Sequence, residues 1–379
     1  MYITVYKRNT QTTNLNLNYD NILQNTSYSN ELPTYYRTTF QVEHPTPLTN
    51  LSDNQLLHIA TIQQVLFREC DVFTKKYDKN NMQNYYRTFH IPKRRGGLRR
   101  IDAPNTELME DLTRLKDVFV NLIKCLPHDA AFAYSKNRSV KTELQRHQQN
   151  NSKWYLKVDL KDFFPTCTPE FVFNQLTQLY PFYYLSTGGK EALKILIKYC
   201  CLNNSLPQGT PTSPILTNLC MVPYDYTISN YLKRGSGNHF IYTRYADDIL
   251  ISSKSDFDYE QIITLISRIL TPFEIKQEKT RYGSTSGRNW NLGLMINKDN
   301  NITLGYRKKK LINAMINNFL NDYKNNTRWS REDAYALQGQ VGYLKNIEPE
   351  YAEYILDKYY RKHNIRYADA MYNTLNNIQ

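Results

Sequence analysis

The run Phe240-Ile241-Tyr242-Thr243-Arg244-Tyr245-Ala246-Asp247-Asp248-Ile249-Leu250-Ile251-Ser252 consists of two β-prone, largely apolar stretches broken by a pair of adjacent acids. It reads as strand, tight turn, strand. Two ionised carboxylates side by side repel each other, and crowding them at a turn is costly unless a cation neutralises them. A solvated turn is the commoner home of an isolated Asp-Asp pair, so the pair gains weight only from its hairpin and from a further acid elsewhere. Trp154-Tyr155-Leu156-Lys157-Val158-Asp159-Leu160 supplies that acid. The segment alternates as a strand does, with Leu156, Val158 and Leu160 on one face and Tyr155, Lys157 and Asp159 on the other. Asp159 then sits at the end of an apolar strand, held rigidly at the rim of a sheet. Mg²⁺ is small, hard and oxygen-seeking, and phosphoryl transfer by two ions about 3.5–4 Å apart needs several bridging carboxylates. Asp159, Asp247 and Asp248 are therefore the candidate catalytic and metal-binding acids.

Working outward, Leu206-Pro207-Gln208-Gly209-Thr210-Pro211-Thr212-Ser213-Pro214 reads as a loop entering a helix. Gly209 lets the backbone approach a ligand closely, Ser213 is a good N-cap and Pro214 suits the first helical turn. Ile215, Leu219, Val222 and Tyr226 then fall along one stripe. Upstream, Tyr85 to Pro104 turns strand-like around a basic hairpin tip, Lys93-Arg94-Arg95-Gly96-Gly97. Leu51 to Tyr77 is predicted helical, with Ser52 or Asp53 as cap and Leu56, Ile59, Ile62, Leu66 and Phe73 at helical spacing. Glu107 to Leu126 is a second predicted helix. Residues 1–50, rich in Asn, Thr, Tyr and Pro, read as irregular.

The bulk properties agree with a globular nucleic-acid protein. The 379 residues are long enough for two or three domains, and the net charge of +13 favours a polyanionic partner through counterion release. The 32 tyrosines suit base stacking, although the many asparagines point equally to codon bias. The six cysteines form no C-x-x-C pair, which disfavours a structural zinc site and leaves free thiols in a reducing compartment. No apolar leader and no run of about 18 apolar residues is present, so a cytoplasmic protein without membrane association is expected.

Tyr245-Ala246-Asp247-Asp248 resembles the Y-x-D-D signature of reverse transcriptases, and Val158-Asp159-Leu160-Lys161-Asp162-Phe163-Phe164 is similar to their first catalytic motif. Leu206 to Pro214 lies between them, in family order, and is similar to the L-P-Q-G-x-x-x-S-P segment. The resemblance covers roughly Arg87 to Lys345. It implies an α+β right-hand polymerase: an N-terminal extension over 1–50, fingers over 51–150, a palm over 151–305 with an antiparallel sheet and the carboxylates, and a short α-helical thumb over 306–379. Two Mg²⁺ ions, with Mn²⁺ as a substitute, are implied at Asp159, Leu160, Asp247 and Asp248. Asp162 and Phe163 would face the triphosphate, and Phe164 falls where the family keeps an aromatic gate against a ribose 2′-hydroxyl. Gln208 and Gly209 would line the pocket for the incoming nucleotide. Ile91 to Pro104 resembles the fingers hairpin, with Lys93 and Arg99 as triphosphate contacts. Lys279 matches a lysine near the pyrophosphate, a general-acid candidate. Asn291-Leu292-Gly293-Leu294-Met295 resembles the primer grip, where Leu292 and Gly293 would meet the primer backbone.

The resemblance further implies dNTPs as substrate, an RNA template and a DNA primer or product. His147 lies where retron enzymes keep the His of an N-A-x-x-H element, but Glu143-Leu144 replaces Asn-Ala, and Asn291-Leu292-Gly293 stands where retrons usually read V-T-G. The Asn289-to-Gly293 stretch and short basic thumb look more like bacterial antiphage-defence reverse transcriptases of the unknown or abortive-infection groups, themselves related to retron and group II intron enzymes. A dedicated noncoding RNA and a partner protein or second copy would accompany such an enzyme. Two other readings stay open: template-independent or protein-primed synthesis by the same site, and a non-catalytic palm scaffold that binds RNA.

Overall fold

The computed structural model describes residues 2–5, 13–16, 48–93, 96–122, 127–234, 240–284 and 293–376. The fold is α+β, with helices packed on small antiparallel sheets. Strands β1 (Tyr2–Val5) and β2 (Thr13–Asn16) pair antiparallel inside the region read as irregular. The chain forms two compact units, each drawn from three segments: residues 1–134, 160–231 and 265–274 in the first, and 135–159, 232–264 and 275–379 in the second.

In the first unit, α1 (Asp53–Lys76) starts where the sequence places it. Ser52 accepts from Gln55 N–H while the Gln55 side chain accepts from Ser52 N–H, a capping box. Ile59, Ile62, Leu66 and Phe73 are buried along one face, and each such side chain taken out of water contributes about 1.5–3 kcal/mol. The helix packs on α6 (Thr187–Tyr199), where Phe73 and Tyr199 lie 5.5 Å apart between ring centroids. The hairpin of β3 (Tyr86–Pro92) and β4 (Leu98–Pro104) runs in unbroken register from Tyr86↔Pro104 to Pro92↔Leu98. Helix α2 (Thr106–Asp117), capped by Asn105, is shorter than predicted: Val118–Leu122 continue as a π-turn. The chain then forms α4 (Phe163–Thr166), α5 (Pro169–Leu176), α7 (Ser213–Cys220) and the start of α8 (Val222–Arg234). The cap of α7 falls on Thr212, not Ser213; the Ser213 hydroxyl instead pairs with Thr210 Oγ1 at 2.7 Å. Cys167, Cys200, Cys201 and Cys220 are buried free thiols.

The second unit is built on a four-stranded antiparallel sheet, order β6-β7-β5-β8, from β5 (Trp154–Asp159), β6 (Ile241–Tyr245), β7 (Asp248–Ser253) and β8 (Arg281–Ser284). Both faces of β5 are covered, because Tyr155 is as fully buried as Leu156 and Val158. Helix α3 (Val140–Gln149) lies against β6, and α9 (Tyr259–Ile269) follows β7 in the chain. Beyond the sheet, β9 (Met295–Ile296) pairs with β10 (Ile302–Thr303), and α10 (Tyr306–Lys324), α11 (Arg331–Ile347), α12 (Pro349–His363) and α13 (Tyr367–Asn376) close over one core that includes Leu294, Ile312, Phe319, Leu337, Val341 and Ile355. Glu348 ties β10 to these helices: it accepts from Thr303 Oγ1 at 2.9 Å and Leu304 N–H at 2.8 Å, and pairs with Lys309. Among the described residues no helix is long and apolar enough to cross a membrane.

Candidate active site

Strands β6 and β7 are joined by a two-residue loop, because Tyr245 pairs directly with Asp248. Ala246, the first loop residue, is held at φ +56°, a region that non-glycine residues rarely occupy. Such strain persists where the surroundings over-determine it. Here the fully buried Arg244 donates from Nη1 to the Ala246 carbonyl at 3.1 Å. Nothing in the sequence pattern singled out Arg244; a charged residue inside an apolar strand was the available signal.

Asp159 is the register partner of Asp248 across β5 and β7. Directly opposed residues on antiparallel strands have Cβ atoms about 4.5–5.5 Å apart and point to the same face. Asp247 precedes Asp248 at the same turn; burial, then the charges of Asp248 and Asp159, push its carboxyl above the usual range. The two strands thus bring all three acids to one end of the sheet. Lysines partly neutralise them. Lys276 Nζ lies 2.6 Å from Asp159 Oδ1, Lys279 Nζ lies 3.2 Å from Asp159 Oδ2, and Lys157 Nζ lies 3.1 Å from Asp248 Oδ2. Lys157 and Asp159 share a face of β5 at i and i+2, as the alternation requires. Burial works against the Lys276 charge, but the Asp159 hydrogen bond and charge outweigh it and raise the ammonium above its ordinary value. Lys279 was expected from the sequence; Lys276 and Lys157 were not, although Lys276 stands one turn of 3₁₀ helix before Lys279.

The donor set is all carboxylate oxygen, which suits a hard divalent cation, and the repulsion felt by Asp247 is what such a cation relieves. Among the described residues no three acid, His or Cys side chains close on one point as in a formed metal site. The oxygens of Asp159 and Asp248 are taken by lysines instead.

Behind the β6–β7 hairpin, the fully buried His147 bridges both of its strands. Its Nδ1 is 2.6 Å from Ser252 Oγ on β7 and its Nε2 is 2.8 Å from Thr243 Oγ1 on β6. Thr243 donates onward to Glu143 at 2.9 Å. Ser152 and Ser252 hydroxyls lie 2.7 Å apart and complete the cluster. Burial, with a smaller contribution from Arg146, lowers the His147 pKa to about 3, so the ring is neutral.

Of the remaining described candidates, all but Gly293 lie in the first unit. Leu160 is fully buried directly after β5. Asp162 is exposed and left-handed at φ +44°. Phe163 is core, packed on Phe273 at 5.4 Å between ring centroids, while Phe164 remains half-exposed at 5.7 Å from Phe163. Gln208 and Gly209 meet the base of the hairpin: Asp102 N–H donates to the Gln208 carbonyl at 2.8 Å. A Cβ on Gly209, at φ +125°, would stand 2.8 Å from the Asp102 carbonyl oxygen. The room left by this glycine is therefore filled by protein backbone. Lys93 N–H donates to Gly97 O at 2.9 Å and closes the hairpin tip, and Arg99 lies exposed opposite Ile91. Arg100, by contrast, is spent on Asp102 at 2.9 Å. Gly293 stands at φ +104° just before β9; Leu292 lies outside the described residues.

The family model for reverse transcriptase (RNA-dependent DNA polymerase) matches residues 91–307, the span that holds both acid-bearing strands. The chain belongs to this family. Among curated reverse transcriptases it is similar to the retron Ec73 enzyme of Escherichia coli, 29% identical over 75% of this chain and 89% of that one, and to the retron Ec83 enzyme of the same organism, 28% identical over 80% and 95%. The retron Mx65 reverse transcriptase of Myxococcus xanthus is 30% identical over 71% of this chain and 63% of its own length. The departures at Glu143-Leu144 and Asn291-Leu292-Gly293 therefore do not remove the likeness to retron enzymes. Among solved structures, telomerase from Candida albicans in complex with a fragment of telomeric RNA aligns over 76% of this chain and 61% of that one, at 13% identity and a TM-score of 0.43. By its family match and its retron relatives the protein is a bacterial-type reverse transcriptase, an RNA-directed DNA polymerase, with an α+β fold.

Proposed function

We propose that this reverse transcriptase extends a primer 3′ end with dNTPs at Asp159, Asp247 and Asp248, using two divalent cations, Mg²⁺ in the first place. The observation that carries this reading is the Asp159–Asp248 register, with Asp247 beside them and its carboxyl pushed up. Bound at these acids, the cations would supply charge neutralisation on the transferred phosphoryl group and activation of the primer hydroxyl. The chain's own residues do the rest. Paired strands hold the acids rigidly, which keeps their geometry fixed through the reaction. Lys276 and Lys279 hold Asp159 in place, and Lys279 donates a proton to the leaving pyrophosphate. Lys93 and Arg99 on the exposed hairpin bind the triphosphate, Asp162 and Phe163 flank it, and Phe164 excludes the ribose 2′-hydroxyl. Gln208 and Gly209 border the nascent base pair, and Leu292 and Gly293 steady the primer.

The same proposal extends to biology: the template is a dedicated noncoding RNA and the setting is antiphage defence. Likeness to retron reverse transcriptases and the basic, tyrosine-rich composition support it. Purified protein supplied with a homopolymer RNA template, a DNA primer and dNTPs, under a titration of Mg²⁺ against chelator, tests the chemistry. Incorporation that survives complete chelation, or RNase pretreatment, contradicts it. Sequencing the nucleic acid that co-purifies tests the template; a random RNA population contradicts a dedicated one.

A further inference from the structure

Helices α11 and α13 border a cleft of about 490 Å³ that the polymerase site does not use. Two of its lining rings are open to solvent, Tyr335 at 49% and Tyr372 at 70% exposure. Its two charged side chains are both basic, Arg331 and Lys345, and neither forms an ion pair among the described residues. The Arg331 guanidinium instead sits 5.8 Å from the centroid of the Tyr335 ring. The Tyr367 hydroxyl in the lining is buried and has no hydrogen-bond partner among the described residues. A buried hydroxyl without a partner is an exception that a ligand would remove. Gln338 adds an amide that can both donate and accept. Gly342 keeps the wall open, since a Cβ there would meet no atom within 4 Å.

Flat rings for stacking, polar groups for an edge and cations for an adjacent anion together describe a nucleotide. A base within a duplex is stacked and paired on both sides, so it cannot enter. We propose that this cleft holds one unpaired nucleotide of a nucleic-acid strand, its base on Tyr335 and Tyr372, its edge toward Gln338 and the Tyr367 hydroxyl, and its phosphate on Arg331 and Lys345. The site lies wholly within the helical bundle and does not depend on the metal assignment. It would let the enzyme select a structured nucleic acid by a single extruded base, while duplex held by phosphate contacts carries no such mark.

The test uses the full chain and four fluorescent probes: an RNA duplex with one bulged nucleotide, the same duplex without the bulge, and the DNA counterparts. Wild-type protein is expected to bind a bulged probe about tenfold more tightly than its unbulged partner, a factor in the range of one stacked base. A preference in the RNA pair alone assigns the ligand to RNA, and one in the DNA pair alone assigns it to the product strand. Tyr372→Ala and Gly342→Leu should erase the preference. Leu is favoured over Gly within a helix, so the second variant fills the cleft without weakening the fold. Both variants should retain wild-type dNTP incorporation on a homopolymer template, which separates failure here from failure of the polymerase reading. A photocrosslinker in place of Ala368, at the cleft rim, should label nucleic acid. Equal affinity for bulged and unbulged probes, a preference that survives both variants, or crosslinks to polypeptide alone would overturn the proposal.

Discussion

Asp159 stands directly opposite Asp248 on the antiparallel β5–β7 ladder, so two acids far apart in the chain are locked on one face of one sheet. Like charges placed opposite each other destabilise a sheet. Lys157, Lys276 and Lys279 stand beside them as counter-charges that offset part of this repulsion.

Replacing any one of the acids with its amide should therefore remove turnover and leave the fold intact. Asp159→Asn, Asp247→Asn and Asp248→Asn are each expected to lower dNTP incorporation by about 10³-fold or more, equivalent to about 4 kcal/mol of transition-state stabilisation. Single-turnover incorporation on an RNA template, alongside thermal melting, checks this. Wild-type rates in a folded variant would remove that acid from the site.

His147 makes acid stability diagnostic of the network behind the hairpin. An unperturbed histidine titrates near 6.5; this one is lowered to about 3, chiefly by burial. Between those values the unfolded chain binds a proton that the folded chain does not, so stability is full above about pH 6.5 and falls as the pH drops toward 3. The expected loss is about 1.4 kcal/mol per pH unit from this one group. His147→Gln keeps hydrogen-bonding capacity without the titration and should flatten the acid limb by that amount in denaturant melts run from pH 7 to 4. An unchanged slope would mean that His147 charges without unfolding the hairpin.

Phe163 and Phe164 are adjacent, yet they should fail in opposite ways. Phe163 is buried against Phe273, so Phe163→Ala should cost about 3–5 kcal/mol of stability. Phe164 is half-exposed, so Phe164→Ala should melt near wild type while admitting ribonucleotides. The dNTP/NTP ratio of kcat/KM is the decisive measurement, with a drop of at least tenfold expected. Unchanged discrimination would take Phe164 out of the gate role.

Much of this site is legible in the sequence because its logic is local. Strand alternation puts Asp159 at the end of β5, and a two-residue loop between apolar runs sets Asp247 beside Asp248 at one turn; neither needs tertiary knowledge. The core role of Phe163 against the open position of Phe164 could not be read, because both are equally apolar and only Phe273, distant in sequence, distinguishes them. Arg244, Lys276 and Lys157 escaped for a similar reason. A lysine or arginine has no periodic signature, and its partner here is a carbonyl or carboxylate set by strand register. The end of α2 at Asp117 was missed because apolar residues continue through Val118–Leu122 while the hydrogen bonding changes to a π-turn.

Gly209 offers a test of how the nucleotide-side loop is held. Its φ of +125° is strained for any L side chain, and an added Cβ would lie 2.8 Å from the Asp102 carbonyl oxygen and 3.0 Å from Ile101 Cγ2. The obstacle includes backbone, which cannot swing aside as the tip of a long side chain could. Gly209→Ala must therefore push the loop from β4 and break the Asp102 N–H to Gln208 O bond of 2.8 Å, or carry the strain. A residue forced into such a region costs about 1–3 kcal/mol. The variant is expected to melt lower by that amount and to raise the KM for dNTPs more than it lowers kcat, since the three acids belong to other strands. Circular dichroism melts and steady-state kinetics on one template check both halves. A variant with unchanged stability would show that the loop relaxes away from Asp102, and the contact would then have no part in placing Gln208.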